Sequence, residues 1–237
     1  MGLRYNKAHS QQYIISQPES HTVSNAIQTL FRSITLPLVI LQRFYFSQSS
    51  VLASSGWLKS YVSRKPLDAE GQPVPWMNYA AIDFLKKRLD NSMDLFEWGS
   101  GYSTIFFSAR ANTVTSIEYD AGWFELIKDK APANATIVHE DYRQSGYVNA
   151  LRSTGRNFHI IVVDGRERVN CVSQCFEHLH DDGVIILDDS SREKYQRAFD
   201  MAETNGFKHI DLIGLKPRSH RTHQTTLFYK TKNCLGI

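Results

Sequence analysis

The sequence predicts an α/β fold: a doubly wound, mostly parallel sheet with a C-terminal antiparallel hairpin and an N-terminal helical extension. Five short β-rich segments alternate with helical stretches between Asp94 and Leu187, the signature of repeated βα units. The inner runs, His159 to Val163 and Val184 to Leu187, are apolar without alternation, as parallel strands covered on both faces require. The last two strand-like segments, Phe207 to Leu215 and Thr225 to Lys230, are joined through Lys216 to His223. That link has no room for a helix, so the two should pair antiparallel.

The elements follow in order along the chain. Residues 1 to 25 are polar, rich in Gln, Ser and His, without a sustained period, and read as a loose arm. From Asn25 to Tyr61 the pattern suggests one or two helices, interrupted at Pro37 and around Ser47 to Ser50. The most apolar run, Ile34 to Leu41, lies between Arg32 and Arg43 and falls short of the ~20 apolar residues that span a bilayer. It also starts too far from Met1 to suit a secretory signal. The expected role is core or partner packing, including a homo-oligomer through these helices, with surface attachment to a membrane as the alternative. Pro66, Pro73, Pro75 and Gly71 then enforce an extended connection. The expected division is an arm and helical extension over 1–63, a connection over 64–78 and the main domain over 79–237.

In that domain Tyr79 to Leu89 reads as a helix, with Ile82, Leu85 and Leu89 on one face. Strands are expected at Asp94–Trp98, Val114–Tyr119, Thr136–His139, His159–Val163 and Val184–Leu187. Between the fourth and fifth, Val169, Val172, Phe176 and Leu179 mark a helix over Arg168–His180.

Composition narrows the function. With 27 basic and 24 acidic residues the net charge is +3, and the excess sits in residues 1–70, where seven Lys/Arg meet three acids. Such a balance does not mark a polyanion binder, and no basic stretch carries the interleaved aromatics of nucleic-acid platforms, so no nucleic acid is expected. Lys216 to Lys232 holds five Lys/Arg and no acid; it suits a solvated hairpin, or steering of an anionic acceptor. Cys171, Cys175 and Cys234 form an odd, sparse set without zinc-ligand spacing, which suits a reducing, cytoplasmic setting and buried structural thiols.

In a doubly wound sheet ligands sit beyond the carboxyl ends of the strands, so the residues after each strand carry the chemistry. After the first stands Glu97-Trp98-Gly99-Ser100-Gly101-Tyr102-Ser103-Thr104. Two glycines one apart turn the backbone tightly and admit a ligand without Cβ clash. The dinucleotide fingerprint needs a third glycine where Thr104 stands, which disfavours a phosphate-bearing cofactor. After the second strand come Glu118, Tyr119 and Asp120, and a carboxylate there can accept from both ribose hydroxyls of an adenosine. Glu140 and Asp141 follow the third, placed for an adenine amino group or for capping the next helix. Asp164 follows the fourth, and Asp188 and Asp189 the fifth. Duller accounts fit each feature alone: a plain strand-to-helix turn, a surface acid, an aspartate pair capping a helix through Ser190.

With these residues in order, the sequence resembles the class I S-adenosylmethionine (SAM) dependent methyltransferases over roughly residues 75 to 231. Their motif at the first strand is an acid, a spacer, Gly, a spacer, Gly. The departure is Ser103, where many members carry a third glycine. The resemblance implies a Rossmann-like methyltransferase domain in which Glu97, Gly99, Ser100, Gly101, Ser103 and Thr104 face the methionyl part of SAM. It implies Glu118 and Tyr119 at the ribose, Glu140 or Asp141 at the adenine, Asp164 in direct touch with SAM, and Trp76 in a lead-in that closes over the cofactor. Asp164, Asp188 and Asp189 also look like the cluster that holds Mg²⁺ or another divalent cation in metal-dependent O-methyltransferases, which implies O-methylation of a small-molecule or sugar hydroxyl. Asp164, Asp188 and His223 are the expected catalytic residues, and Arg166, Glu167 and His220 further candidates for the acceptor side. A catalytically silent SAM-fold interaction module and a nucleotide-dependent oxidoreductase are the competing readings.

Overall fold

The order of the strands puts the site at the carboxyl ends of the central parallel strands. A computed structural model describes residues 20–237, leaving the side chains of 20–28 and of Ile34 outside the description. The chain runs through α1 (Ser20–Tyr45), α2 (Val51–Ser54), α3 (Trp57–Ser63) and α4 (Tyr79–Lys86) into β1 (Asp94–Trp98), α5 (Tyr102–Ser108), β2 (Thr113–Glu118) and α6 (Ala121–Ile127). It continues through β3 (Ala135–His139), α7 (Ser145–Ser153), β4 (Phe158–Val163), α8 (Arg168–Cys175), β5 (Leu179–Asp188), α9 (Gln196–Thr204), β6 (Lys208–Leu215) and β7 (Thr222–Tyr229). Among the described residues these strands form one seven-stranded sheet in the order β3-β2-β1-β4-β5-β7-β6. The chain winds outward from β1 to β3 and crosses back to β4, so the crevice where ligands bind in such sheets opens between β1 and β4.

The expected architecture is present, with β7 antiparallel to both β5 and β6. Two buried clusters cover the sheet. Phe96, Trp98, Ile161, Val163, Ile185 and Leu187 pack with α7, α8 and α9 on one face. Leu95, Val114, Ile160, Val162, Val184 and Ile186 pack with α4 and α5 on the other. Fully burying each such side chain contributes about 1.5–3 kcal/mol, and this two-sided cover is why the central strands read as unbroken apolar runs.

Several boundaries differ from expectation. Of the expected loose arm, residues 1–19 lie outside the described residues, and helix begins at Ser20 instead of Asn25. That helix runs on through Pro37, and the breaks fall at 46–50 and at 55–56. Ring closure at Pro37 removes one backbone donor, a local loss that a 26-residue helix tolerates. α8 stops at Cys175 because β5 starts early, at Leu179, with Gly183 lying against the Leu179 side chain, where a Cβ would come within 2.6 Å.

Side-chain bonds fasten the N-terminal segment to the domain. Trp57 Nε1 donates to the Ser219 carbonyl at 2.8 Å, and Ser60 Oγ donates to the Leu67 carbonyl at 2.9 Å. Buried Asn78 caps α4 by accepting from Ala81 N at 3.0 Å, while its Nδ2 donates to the Leu212 carbonyl and to Thr225 Oγ1, each at 2.9 Å. Cys171 and Cys175 are buried and free, and burial raises both thiols, as inert structural cysteines require.

Candidate functional site

The strand tips assemble a turn, a carboxylate and two adjoining clefts. Gly99 leaves β1 with φ +98° and Gly101 enters α5 with φ +144°, values that side-chain-bearing residues rarely adopt. A Cβ on Gly101 would sit 3.3 Å from the Trp123 indole, whose Nε1 donates to the Ser100 carbonyl at 3.0 Å. The turn is therefore clamped between its own conformation and Trp123.

Glu118, 3% exposed, holds the same turn from the tip of β2. Its Oε2 accepts from Ser100 N at 3.1 Å and Ser100 Oγ at 2.7 Å, and its Oε1 accepts from Asp120 N at 2.8 Å. A carboxylate offers about four lone-pair sites, so one remains and a second is shared with a hydroxyl that can rotate away.

A cleft of about 400 Å³ lies over the turn. Of the expected cofactor residues, Trp76, Gly99, Ser100, Gly101, Ser103, Glu118, Tyr119 and Asp164 line it. Tyr102, Asp120, Trp123 and Gly165 line it too, and the sequence reading did not assign them. The signal for Trp123 was present: it stands three residues after Asp120, whose side chain caps α6 by accepting from Trp123 N at 2.8 Å.

Four expected contacts stand elsewhere. Glu97, 1% exposed, lies behind the turn with Thr104, whose hydroxyl donates to Glu97 Oε1 at 2.5 Å and accepts from Gly101 N at 3.0 Å. Strand alternation explains it: Phe96 and Trp98 face the α7–α9 side, so Glu97 turns beneath α5. Burial pushes the Glu97 carboxyl up to about 7 against hydrogen bonds from Thr104, Ser103 and Ser116. Glu140 and Asp141 do not line the cleft. Glu140 lies against Gly146, and Asp141 is forked by Arg143 at 2.6–3.2 Å, which holds it down to about 2.

The raised Glu97 implies a pH effect. A buried acid titrating near 7 instead of near 4.5 favours the folded state below the lower value and loses that contribution as pH rises through the upper one. Glu97→Gln keeps the acceptor for Thr104 and removes the titration. We expect thermal unfolding to show wild type losing stability relative to Glu97→Gln between pH 4.5 and 7, by about 3 kcal/mol.

A second cleft, of about 430 Å³, adjoins the first. Tyr119, Asp164 and Gly165 line both, and Arg166, Glu167, Arg192 and Lys194 line the second. Asp164 Oδ1 accepts from Arg168 Nη2 at 2.8 Å. Burial and the Asp188 charge push Asp164 well above the usual carboxylate range, against Arg168 and Lys216. The Arg166 guanidinium stacks over Tyr119 at 5.1 Å and Tyr142 at 5.6 Å.

The expected cation site is corrected by the residues around it. Lys216 Nζ sits between the paired aspartates, 2.6 Å from Asp188 Oδ2 and 2.7 Å from Asp189 Oδ1. Asp188 is fully buried, accepts from Thr225 Oγ1 at 2.7 Å and has its carbonyl bonded by Arg168. Asp189 also meets Arg192 at 2.5 Å and His223 Nδ1 at 3.1 Å. Burial raises the Asp189 carboxyl, but these partners outweigh it and the net shift is downward. Among the described residues no three His, Cys, Asp or Glu side chains form a group able to hold a metal ion. Asp164, Asp188 and Asp189 thus do not fit a hard cation: an ammonium and guanidinium groups already balance them. Asp188 and His223 line neither cleft, and the other His223 nitrogen, Nε2, is engaged by Ser219 Oγ at 2.9 Å. His220 lines neither cleft, while Arg166 and Glu167 do reach the second.

Comparison with known proteins bears on the fold. No family model and no curated protein matches the chain. The chain is similar to a precorrin-6y C5,15-methyltransferase from Geobacter metallireducens at TM-score 0.53 and 16% identity, over 65% of this chain and 88% of that one. It is also similar to a spermidine synthase from Thermotoga maritima at TM-score 0.50 and 13% identity, over 64% of this chain and 57% of that one. Two names for one architecture leave the chemistry to the site. Both likenesses are of fold: a seven-stranded α/β sheet whose β7 runs antiparallel to its neighbours.

Proposed function

We propose that the protein methylates a hydroxyl on a small molecule or glycan, using SAM. The observation that carries this reading is Asp164 at the junction of the two clefts, with its carboxyl shifted upward. The glycine turn suits close approach of a ligand without a Cβ in the way, and Glu118 has acceptor capacity for ribose hydroxyls. Bound there, SAM would supply an electrophilic methyl group on a sulfonium.

The chain's own residues do the rest. Trp76 and Trp123 line the cleft beside the turn, where their rings would cover a bound ligand. Asp164 takes the proton of the acceptor hydroxyl, a role favoured by a carboxylate whose basicity lies near neutral. Arg166 and Lys194 favour an acceptor that carries negative charge, such as a phosphorylated or acidic sugar. Lys216 keeps Asp188 and Asp189 balanced without a divalent ion.

Transfer of labelled methyl groups from SAM to a panel of neutral and acidic hydroxyl acceptors tests the proposal. Turnover should favour acidic acceptors, persist in EDTA and fall at least ~100-fold in Asp164→Asn with the fold intact. Turnover that EDTA abolishes and Mg²⁺ restores would return the cation to the mechanism, and full activity in Asp164→Asn would remove the base.

A further inference from the structure

We infer that α1 lies along an anionic lipid surface and holds the chain there. α1 carries large apolar side chains to solvent: Leu30 is 65% exposed, Phe31 66%, Leu38 63% and Leu41 49%. At about 100° per residue these four, with Phe44 and Tyr45, fall within one half of the helix circumference, interrupted there by Ser33. Arg32, Thr35, Gln42 and Arg43 fall in the other half, joined by Leu36, Val39 and Ile40. Arg32 and Arg43 are eleven residues apart, about three turns, so they share a meridian opposite the apolar stripe. Phe, Leu and Tyr on one face with arginines opposite describe a helix lying in the interface plane.

Charge selects the occupant. From Ser20 through Leu67 the chain contains no Asp or Glu, while Arg32, Arg43, Lys59, Arg64 and Lys65 are all basic. A second copy laid on the same face would bring two acid-free basic segments together, whereas anionic headgroups complement them. Crossing the bilayer is not implied, since no helix among the described residues is long and apolar enough. The α3 end adds to the patch: Val62 is 85% exposed and Tyr61 58%, beside Arg64 and Lys65. Trp57 fastens that end to the β6–β7 loop through the Ser219 carbonyl. β7 runs antiparallel to β5 and starts beside Asp188, so the loop before it lies at the same carboxyl-end side of the sheet as the clefts. The helix would therefore present that side of the sheet toward the lipid surface.

Co-sedimentation of the full chain with phosphatidylcholine vesicles, with and without added phosphatidylglycerol, tests this. Binding should require phosphatidylglycerol and weaken as salt rises. The exposed double variant Leu38→Glu with Leu41→Glu should lose roughly tenfold or more of that binding while its thermal unfolding stays unchanged. Arg32→Gln with Arg43→Gln should lower binding to the anionic vesicles about tenfold. Absence of binding to phosphatidylglycerol vesicles, or equal binding to neutral ones at every salt concentration, overturns the proposal. So does a concentration-dependent dimer in sedimentation analysis that the Leu38→Glu, Leu41→Glu variant abolishes, because a second copy would then cover the face.

Discussion

Lys216→Met is expected to destabilise the protein by about 3–5 kcal/mol, measured as a lower urea midpoint with an unchanged slope. Asp188 is fully buried, and Lys216 Nζ is the cation 2.6 Å from its carboxylate. Removing that ammonium leaves a buried carboxylate to which, among the described residues, only the Thr225 hydroxyl donates, at 2.7 Å. Asp189 suffers less, because Arg192 and His223 still reach it. Pairing the change with Asp188→Asn removes the uncompensated charge, so the double variant should recover most of the loss. The same measurement separates ion pairing from metal binding. If the aspartates held a divalent ion instead, millimolar Mg²⁺ would raise the wild-type midpoint by mass action, and we expect no such rise.

Gly101→Val is the second change with a large expected effect, this time on ligand binding. Its φ of +144° costs a β-branched residue about 1–3 kcal/mol, and its new Cβ would press on the Trp123 indole at 3.3 Å. The bond from Gly101 N to Thr104 Oγ1, and through it the link to Glu97, depends on the same backbone. We expect S-adenosylhomocysteine binding to weaken about tenfold to a hundredfold while the sheet remains folded by circular dichroism. Wild-type affinity in this variant would show that the turn does not shape the site.

Much of this arrangement was legible along the chain because it depends on near neighbours. The apolar runs of β4 and β5 announced strands covered on both faces, and the hairpin announced itself by a link too short for a helix. Gly99, Gly101 and Glu118 were legible because strand-tip position and spacing alone bring them together. The residues whose placement the sequence did not show depend on distant or competing partners. Asp188 and Asp189 resembled a cation site until Lys216, 28 and 27 residues away, took the space between them. Asp141 was spent on Arg143, two residues on, whose fork competes with any ligand. Glu97 sat in plain view, and counting strand parity from Phe96 would have turned it under α5. Pro37 looked like a helix stop, yet α1 absorbs one missing donor across its length.

The proposed function requires Glu118 to hold adenosine over the glycine turn, and calorimetric titration of S-adenosylhomocysteine tests that most directly. Wild type should bind it, Glu118→Ala should bind roughly tenfold or more weakly with its thermal unfolding intact, and NAD should give no saturable heat. No binding to wild type, equal affinity in Glu118→Ala, or tighter binding of NAD would contradict it.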